Sequence, residues 1–119
     1  MKKTLVLGAS TKPNRYSFLA IERLRRYAID TVALGLKSGT VADINIDTEK
    51  KMYQEIHSIT LYLNPRRQVE YYDYIVSLQP KRVIFNPGTE NPELYKILKE
   101  NAIEIEIACT LVLLSTNQY

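Results

Sequence analysis

One loop near the amino terminus combines the residue types that bind phosphate groups. A short apolar run ends at Gly8, and it is followed by Ala9, Ser10, Thr11, Lys12, Asn14, Arg15 and Tyr16. A loop between a buried strand and a helix presents free backbone N–H groups at the positive end of the helix dipole, which favours an anion. Lys12 and Arg15 add full positive charges. The loop therefore predicts a site for a phosphorylated ligand.

The same loop differs from a dinucleotide-binding fingerprint. It has a single glycine where the G-x-G-x-x-G pattern has three, and Lys37 follows the second predicted strand where an NAD site carries an acidic residue. A lysine at that position suits a ligand with an additional phosphate on its ribose. This chemistry therefore disfavours NAD and leaves NADP and other nucleotides with an additional ribose phosphate open.

Alternating strand-like and helix-like periods predict an α/β fold, with a single domain over residues 1–119. Apolar runs predict strands at 4–8, 31–35, 59–63, 82–85 and 103–107, with a further short strand near 41–46 and a helical turn after Asp47. The pairs Asn64-Pro65 and Asn91-Pro92 are favourable helix starts. We expect a Rossmann-like, doubly wound and mostly parallel sheet of five strands, in the order 3-2-1-4-5, with helices on both faces.

This topology gathers several loops at the carboxyl ends of the strands, where open α/β sheets bind their ligands. The segments expected at that edge are 8–17, 35–39, 64–67, 86–91 and 108–110. Their cations are Lys12, Arg15 and Lys37. The edge as a whole therefore favours a phosphorylated small molecule.

Four segments resemble the small, stand-alone CoA-binding-domain proteins, which are related to the nucleotide-binding domain of the succinyl-CoA synthetase alpha subunit. The segments are 8–17, 61–65, 84–92 and 108–111, and the run Asn-Pro-Gly-Thr-Glu-Asn at 86–91 is the most distinctive. The resemblance implies a Rossmann-like fold with coenzyme A, or an acyl-CoA, as the ligand.

The resemblance also implies roles for individual residues. The residues near the diphosphate would be Ser10, Thr11, Asn14 and Arg15, and the residue near the ribose phosphate would be Lys37. The residues flanking the adenine would be Asn64 and Pro65, and those bordering the pantetheine with their backbone would be Asn86, Pro87 and Gly88. The stretch 36–46 departs from the usual Asn-Pro-Lys pattern of the family.

No catalytic constellation is visible in the sequence, and the resemblance supplies no reaction. The single histidine, His57, falls in an irregular connection, and no metal-ligand cluster or Ser/His/Asp set has motif spacing. Cys109 is expected either as a buried, inert thiol or as a thiol at the ligand edge that forms a mixed disulfide with CoA.

We therefore expect non-catalytic binding of CoA or an acyl-CoA. The alternatives are an NAD(P)-linked oxidoreductase or acyl-CoA-using enzyme with the same pocket, and an interaction scaffold whose nucleotide site has decayed. The net charge of +3, without a broad basic patch, does not favour nucleic acid. No run approaches the roughly 18 apolar residues that cross a bilayer, and one cysteine permits no internal disulfide, so we expect a cytoplasmic protein. An enzyme partner or a homodimer stays open.

Overall fold

The computed structural model describes residues 2–119, which form one seven-stranded sheet with helices on both faces. The strands are β1 (Thr4–Ala9), β2 (Thr31–Gly35), β3 (Gly39–Val41), β4 (Ile44–Asp47), β5 (Ser58–Leu61), β6 (Arg82–Phe85) and β7 (Glu104–Ile107). The helices are α1 (Tyr16–Arg26), α2 (Pro65–Gln68), α3 (Tyr72–Leu78), α4 (Pro92–Glu100) and α5 (Thr110–Ser115), with one 3-10 turn (Val69–Tyr71) between α2 and α3. The Rossmann-like α/β fold with a mostly parallel sheet is confirmed.

The predicted number and order of the strands were wrong. The sheet has the order β3-β4-β2-β1-β5-β6-β7, and every neighbouring pair is parallel except β3 and β4. The outer edge of β2 is occupied by a hairpin at 39–47, whose Val41 and Ile46 are buried, and not by the strand predicted at 59–63. That strand is β5, which pairs with β1. The strand order therefore reverses between β1 and β5.

Side chains of β1 fill the core on both faces of the sheet, because successive side chains of a strand point in opposite directions. Val6 packs in one cluster with Ile21 and Leu24 of α1. Leu5 and Leu7 pack in the other cluster, with the buried residues of α3 and α4. The continuous apolar run of this strand is typical of a parallel strand that is covered on both sides.

The segment after β5 is less regular than its periodicity predicts. The spacing of the apolar residues at 69, 72, 75 and 76 predicts one helical face, but Val69 is 54% exposed and a 3-10 turn separates α2 from α3. The helical turn expected after Asp47 is also absent from the described segment 48–57. This segment is held instead by tyrosines, since Tyr53 Oη donates to Asp47 Oδ2 (2.5 Å) and Tyr74 Oη donates to the Lys51 carbonyl (2.5 Å).

The two Asn-Pro helix starts are confirmed. Asn64 Oδ1 accepts a hydrogen bond from the Arg67 amide (3.0 Å), and Asn91 Oδ1 accepts one from the Leu94 amide (3.4 Å). Proline follows each asparagine at the first helical position. Each cap satisfies a donor that the helix itself leaves without a partner.

Asn86 joins three elements beneath the carboxyl edge of the sheet. Its side chain is buried, and its Nδ2 donates to Thr60 Oγ1 (2.7 Å) and to the Leu61 carbonyl (2.9 Å). Its Oδ1 accepts from the Thr110 amide at the start of α5 (2.8 Å). These bonds fix the end of β6 relative to β5 and α5.

We expect the substitution Asn86→Ala to lower the free energy of unfolding by about 2–4 kcal/mol, because it leaves buried hydrogen-bonding groups without partners. Denaturant unfolding measures this loss. The matched control, Asn45→Ala, removes an exposed asparagine with one surface hydrogen bond and should cost less than about 1 kcal/mol. Similar losses for the two variants would contradict a structural role for Asn86.

His57 lies before β5, at the edge of the sheet opposite to the carboxyl ends of the strands. Its pKa is below its usual value, mainly because burial disfavours the charged ring and also because Arg82, Lys2 and Lys81 repel a further positive charge. The unfolded chain therefore binds a proton at a higher pH than the folded chain does.

From this pKa we expect the free energy of unfolding to fall as the pH decreases from about 6.5 towards the lower, folded-state pKa. Unfolding measured between about pH 7.5 and 5.5 should show the decrease, and His57→Gln should reduce it. An unchanged pH dependence in His57→Gln would mean that other groups cause it.

Candidate functional site

A cleft of about 490 Å³ opens at the carboxyl edge, where the strand order reverses between β1 and β5. It is lined by residues 8–12, 15–17, 34–37, 62–64, 67, 71 and 87–89. These residues follow β1, β2, β5 and β6. In open α/β sheets a crevice at this position is the usual ligand site.

At the floor of the cleft, two glycines allow the loop after β1 to pack closely against the neighbouring strands. Gly8 has φ of +95°, and a Cβ built on it would lie 3.0 Å from the Tyr62 carbonyl carbon. At Gly35, a Cβ would lie 2.3 Å from the Ala9 carbonyl oxygen, which is closer than any side chain can approach. A larger residue at either position would push the first loop away from β2 or β5.

The amino terminus of α1 forms one wall of the cleft. Arg15 precedes the helix, and its side chain makes no capping hydrogen bond. Tyr16 and Ser17 belong to the first turn, which contains no acidic residue, and both line the cleft. Ser10 Oγ accepts a hydrogen bond from the Lys12 amide (3.1 Å), which shapes the loop before the helix. The wall therefore offers helix N–H groups and a partial positive charge to an anion.

Four cationic side chains and no acidic side chain line the cleft. The cations are Lys12, Arg15, Lys37 and Arg67. Across residues 2–119, the ion pairs are formed by other basic residues, so the charges of these four are not neutralised within the described structure. They come from the ends of three neighbouring strands, β2, β1 and β5. The electrostatics of the cleft favours a ligand with several negative charges.

Four lining residues after β5 and β6 were given no ligand contact in the sequence analysis. They are Tyr62, Tyr71, Arg67 and Thr89, of which the last two lie in segments that were expected at this edge. Burial raises the pKa of Tyr62 to about 12, so its hydroxyl stays protonated at neutral pH. Helical spacing from the Asn64 cap reaches Arg67 in α2, but Tyr71 lies in the 3-10 turn, where this spacing gives no comparable signal.

Most of the residues predicted for the site line this cleft. They are Gly8, Ala9, Ser10, Thr11, Arg15, Tyr16, Lys37, Asn64, Pro87 and Gly88. Four predicted residues lie outside the lining. Asn14 and Pro65 are exposed beside it, while Asn86 is buried beneath it. Cys109 is half-buried before α5, and its mixed disulfide with CoA stays a prediction.

Two structural features are absent from residues 2–119. No group of three or more His, Cys, Asp or Glu side chains is placed to hold a metal ion. None of the helices described in that range combines the length and apolar character needed to cross a membrane.

Solved structures share this fold over its full extent. A crystal structure of an uncharacterized protein is 50% identical, with a TM-score of 0.97, and the match covers 100% of this chain and 98% of the other. A Thermus thermophilus protein (19% identical, TM-score 0.87) matches over 99% of this chain and 90% of its own. A hypothetical protein from Pyrococcus horikoshii OT3 (24% identical, TM-score 0.84) matches over 93% of this chain and 80% of its own. The last two show the fold alone.

No curated protein matches the chain. The family model for the CoA binding domain matches residues 2–115, which is nearly the whole sequence. This match confirms the resemblance seen in the loop after β1 and in the Asn-Pro-Gly-Thr-Glu-Asn run. The chain belongs to the CoA-binding domain family.

Proposed function

We propose that this protein binds coenzyme A or an acyl-CoA in the cleft and catalyses no reaction there. The family supports a CoA-binding role in general. The observation that carries the specific proposal is the concentration of unpaired cations around the amino terminus of α1. CoA carries a diphosphate and a 3′-phosphate, so it requires positive charge at more than one place.

The fold also indicates how the ligand would be oriented in the cleft. In Rossmann-like folds the diphosphate lies at the amino terminus of the first helix, and the ribose lies at the end of the second strand. Here these positions correspond to the loop before α1 and to Lys37 after β2. Lys12 and Arg15 would then neutralise the diphosphate, and Lys37 would bind the 3′-phosphate.

The uncharged part of CoA would continue along the other half of the cleft. That half is formed by residues after β5 and β6, including Tyr62, Pro87 and Gly88. Gly88 has φ of +91°, which an L side chain rarely adopts, so the backbone itself borders this path. A neutral pantetheine chain suits a wall of backbone and uncharged side chains.

The lining of the cleft also favours binding without catalysis. It contains no His, Asp, Glu or Cys residue that would act as a general base or nucleophile. Burial raises the pKa of the Tyr62 hydroxyl to about 12, so at neutral pH it is protonated and is not a phenolate base. These features support a carrier, a sensor or a partner of an enzyme.

Calorimetric titration with CoA and dephospho-CoA tests the assignment of Lys37. The substitution Lys37→Ala should weaken CoA binding roughly fivefold, as expected for an exposed ion pair, and should leave dephospho-CoA binding almost unchanged. The control Lys96→Ala removes an exposed lysine of α4 outside the cleft and should alter neither.

An equal loss for both ligands in Lys37→Ala would contradict the 3′-phosphate assignment. Absence of CoA binding by the folded wild-type protein at about 1 mM ligand would contradict the proposed function itself. A thermal-shift panel with CoA, NAD and NADP separates the alternative, because stabilisation by NADP alone would indicate an oxidoreductase-like site.

A further inference from the structure

A buried glutamine links two loops that border the cleft, the β5 wall (residues 62–64) and the β6 wall (residues 87–89). Gln68, the last residue of α2, is fully buried and does not line the cleft itself. Its Nε2 donates one hydrogen bond to the Leu63 carbonyl (2.8 Å) and another to the Thr89 carbonyl (2.8 Å). A single side chain therefore joins the two walls.

The orientation of the Gln68 amide is fixed by its neighbours. Both groups at its Nε2 are carbonyl oxygens, which only accept hydrogen bonds, so the NH2 end must face them. Its Oε1 accepts a hydrogen bond from Asn91 Nδ2 (2.8 Å). Asn91 is held in turn, because its Oδ1 caps α4 and its Nδ2 also donates to the Tyr72 hydroxyl (2.8 Å). Every polar atom of the two amide side chains has a partner, which makes the linkage rigid.

Backbone pairing between β5 and β6 ends before the walls begin. The last paired residues are Leu61 and Phe85, and there the Asn86 Nδ2 also donates to the Leu61 carbonyl (2.9 Å). Beyond this point, the amide and the hydroxyl of Thr89 both donate to the Asn86 carbonyl, which closes the β6 turn on itself (3.0 and 2.7 Å). The spacing of that turn from the β5 wall therefore depends on Gln68.

We propose that Gln68 is a positioning residue that holds the two walls at the spacing required by a ligand contacting both of them. This inference rests on the proposed function. The adenine of CoA is expected beside Asn64 of the β5 wall, and the pantetheine beside Pro87 and Gly88 of the β6 wall. Only the complete ligand spans both walls. Walls that are fixed before binding save the entropy of ordering them, and this gain is lost when the linkage is removed.

The test compares CoA with adenosine 3′-phosphate 5′-diphosphate, which is CoA without its pantetheine arm. In Gln68→Met, a chain of similar length without the amide, CoA affinity should fall about tenfold, while the affinity for the nucleotide should change less than about twofold. Calorimetric titration measures both. The matched control, Leu98→Ala, removes a fully buried side chain of α4 outside the cleft. It destabilises the fold but should leave both affinities unchanged.

A second variant tests the same linkage with less disturbance of the core. In Asn91→Asp, a carboxylate oxygen still caps α4, but the NH2 group that donates to Gln68 is lost. CoA affinity should fall about threefold, again without a change for the nucleotide. Thermal unfolding verifies that each variant is folded. If Gln68→Met does not fold, Asn91→Asp decides the test.

Three results would overturn the proposal while leaving the proposed function intact. The first is unchanged CoA affinity in the folded variants. The second is an equal loss for CoA and for the nucleotide, which would indicate a general structural effect. The third is a selective loss of CoA affinity in Leu98→Ala as well. If the wild-type protein does not bind CoA, the proposed function fails together with this inference.

Discussion

The reversal of strand order between β1 and β5 is the constraint on which the site depends. The connection after β1 leads to β2 on one side of it, and the connection after β4 leads back to β5 on its other side. No connecting segment therefore covers the carboxyl ends of β1 and β5. The gap is narrow at its floor, since Gly8 and Gly35 let the first loop approach both neighbouring strands. The amino terminus of α1 then faces an open cleft.

Burial on both faces of β1 makes this arrangement rigid. The apolar side chains of β1 are almost fully buried, and the Asn86 side chain locks the ends of β5 and β6 to the start of α5. The cleft residues are thus carried by loops whose ends are fixed by the sheet. Such loops can keep cations such as Lys37 and Arg67 without internal partners, because the anionic ligand proposed for the cleft would supply the opposite charge.

The sequence predicted the half of the cleft around the amino terminus of α1 better than the other half. The single-glycine loop and Lys37 follow strands with strong apolar signals, so their position at the carboxyl edge could be read from periodicity and from the fold class. Arg67 belongs to the segment 64–67 that was expected at this edge, but Tyr71 could not be placed in the same way. The 3-10 turn after α2 interrupts the helical period, and the exposed Val69 shows that the apolar spacing did not mark one continuous buried face.

The strand order failed for a related reason. The stretch 36–46 has mixed composition, and the antiparallel pairing of β3 with β4 depends on a turn at Ala42, whose φ is +54°. Neither this turn nor the packing of Val41 and Ile46 against α1 produces a clear pattern in the sequence. The resemblance implies that Asn86 borders the pantetheine with its backbone, which stays a prediction, while the buried hydrogen bonds of its side chain give it a structural role as well.

The central claim is that the diphosphate of CoA binds at the amino terminus of α1. An NMR titration of the isotopically labelled protein with CoA tests it most directly, because each backbone amide reports its own environment. The account predicts that the largest chemical-shift changes fall on amides of residues 10–17, with further changes at 35–37 and 87–89. Changes confined to the opposite edge of the sheet, around His57 and Arg82, with residues 10–17 unaffected, would contradict it.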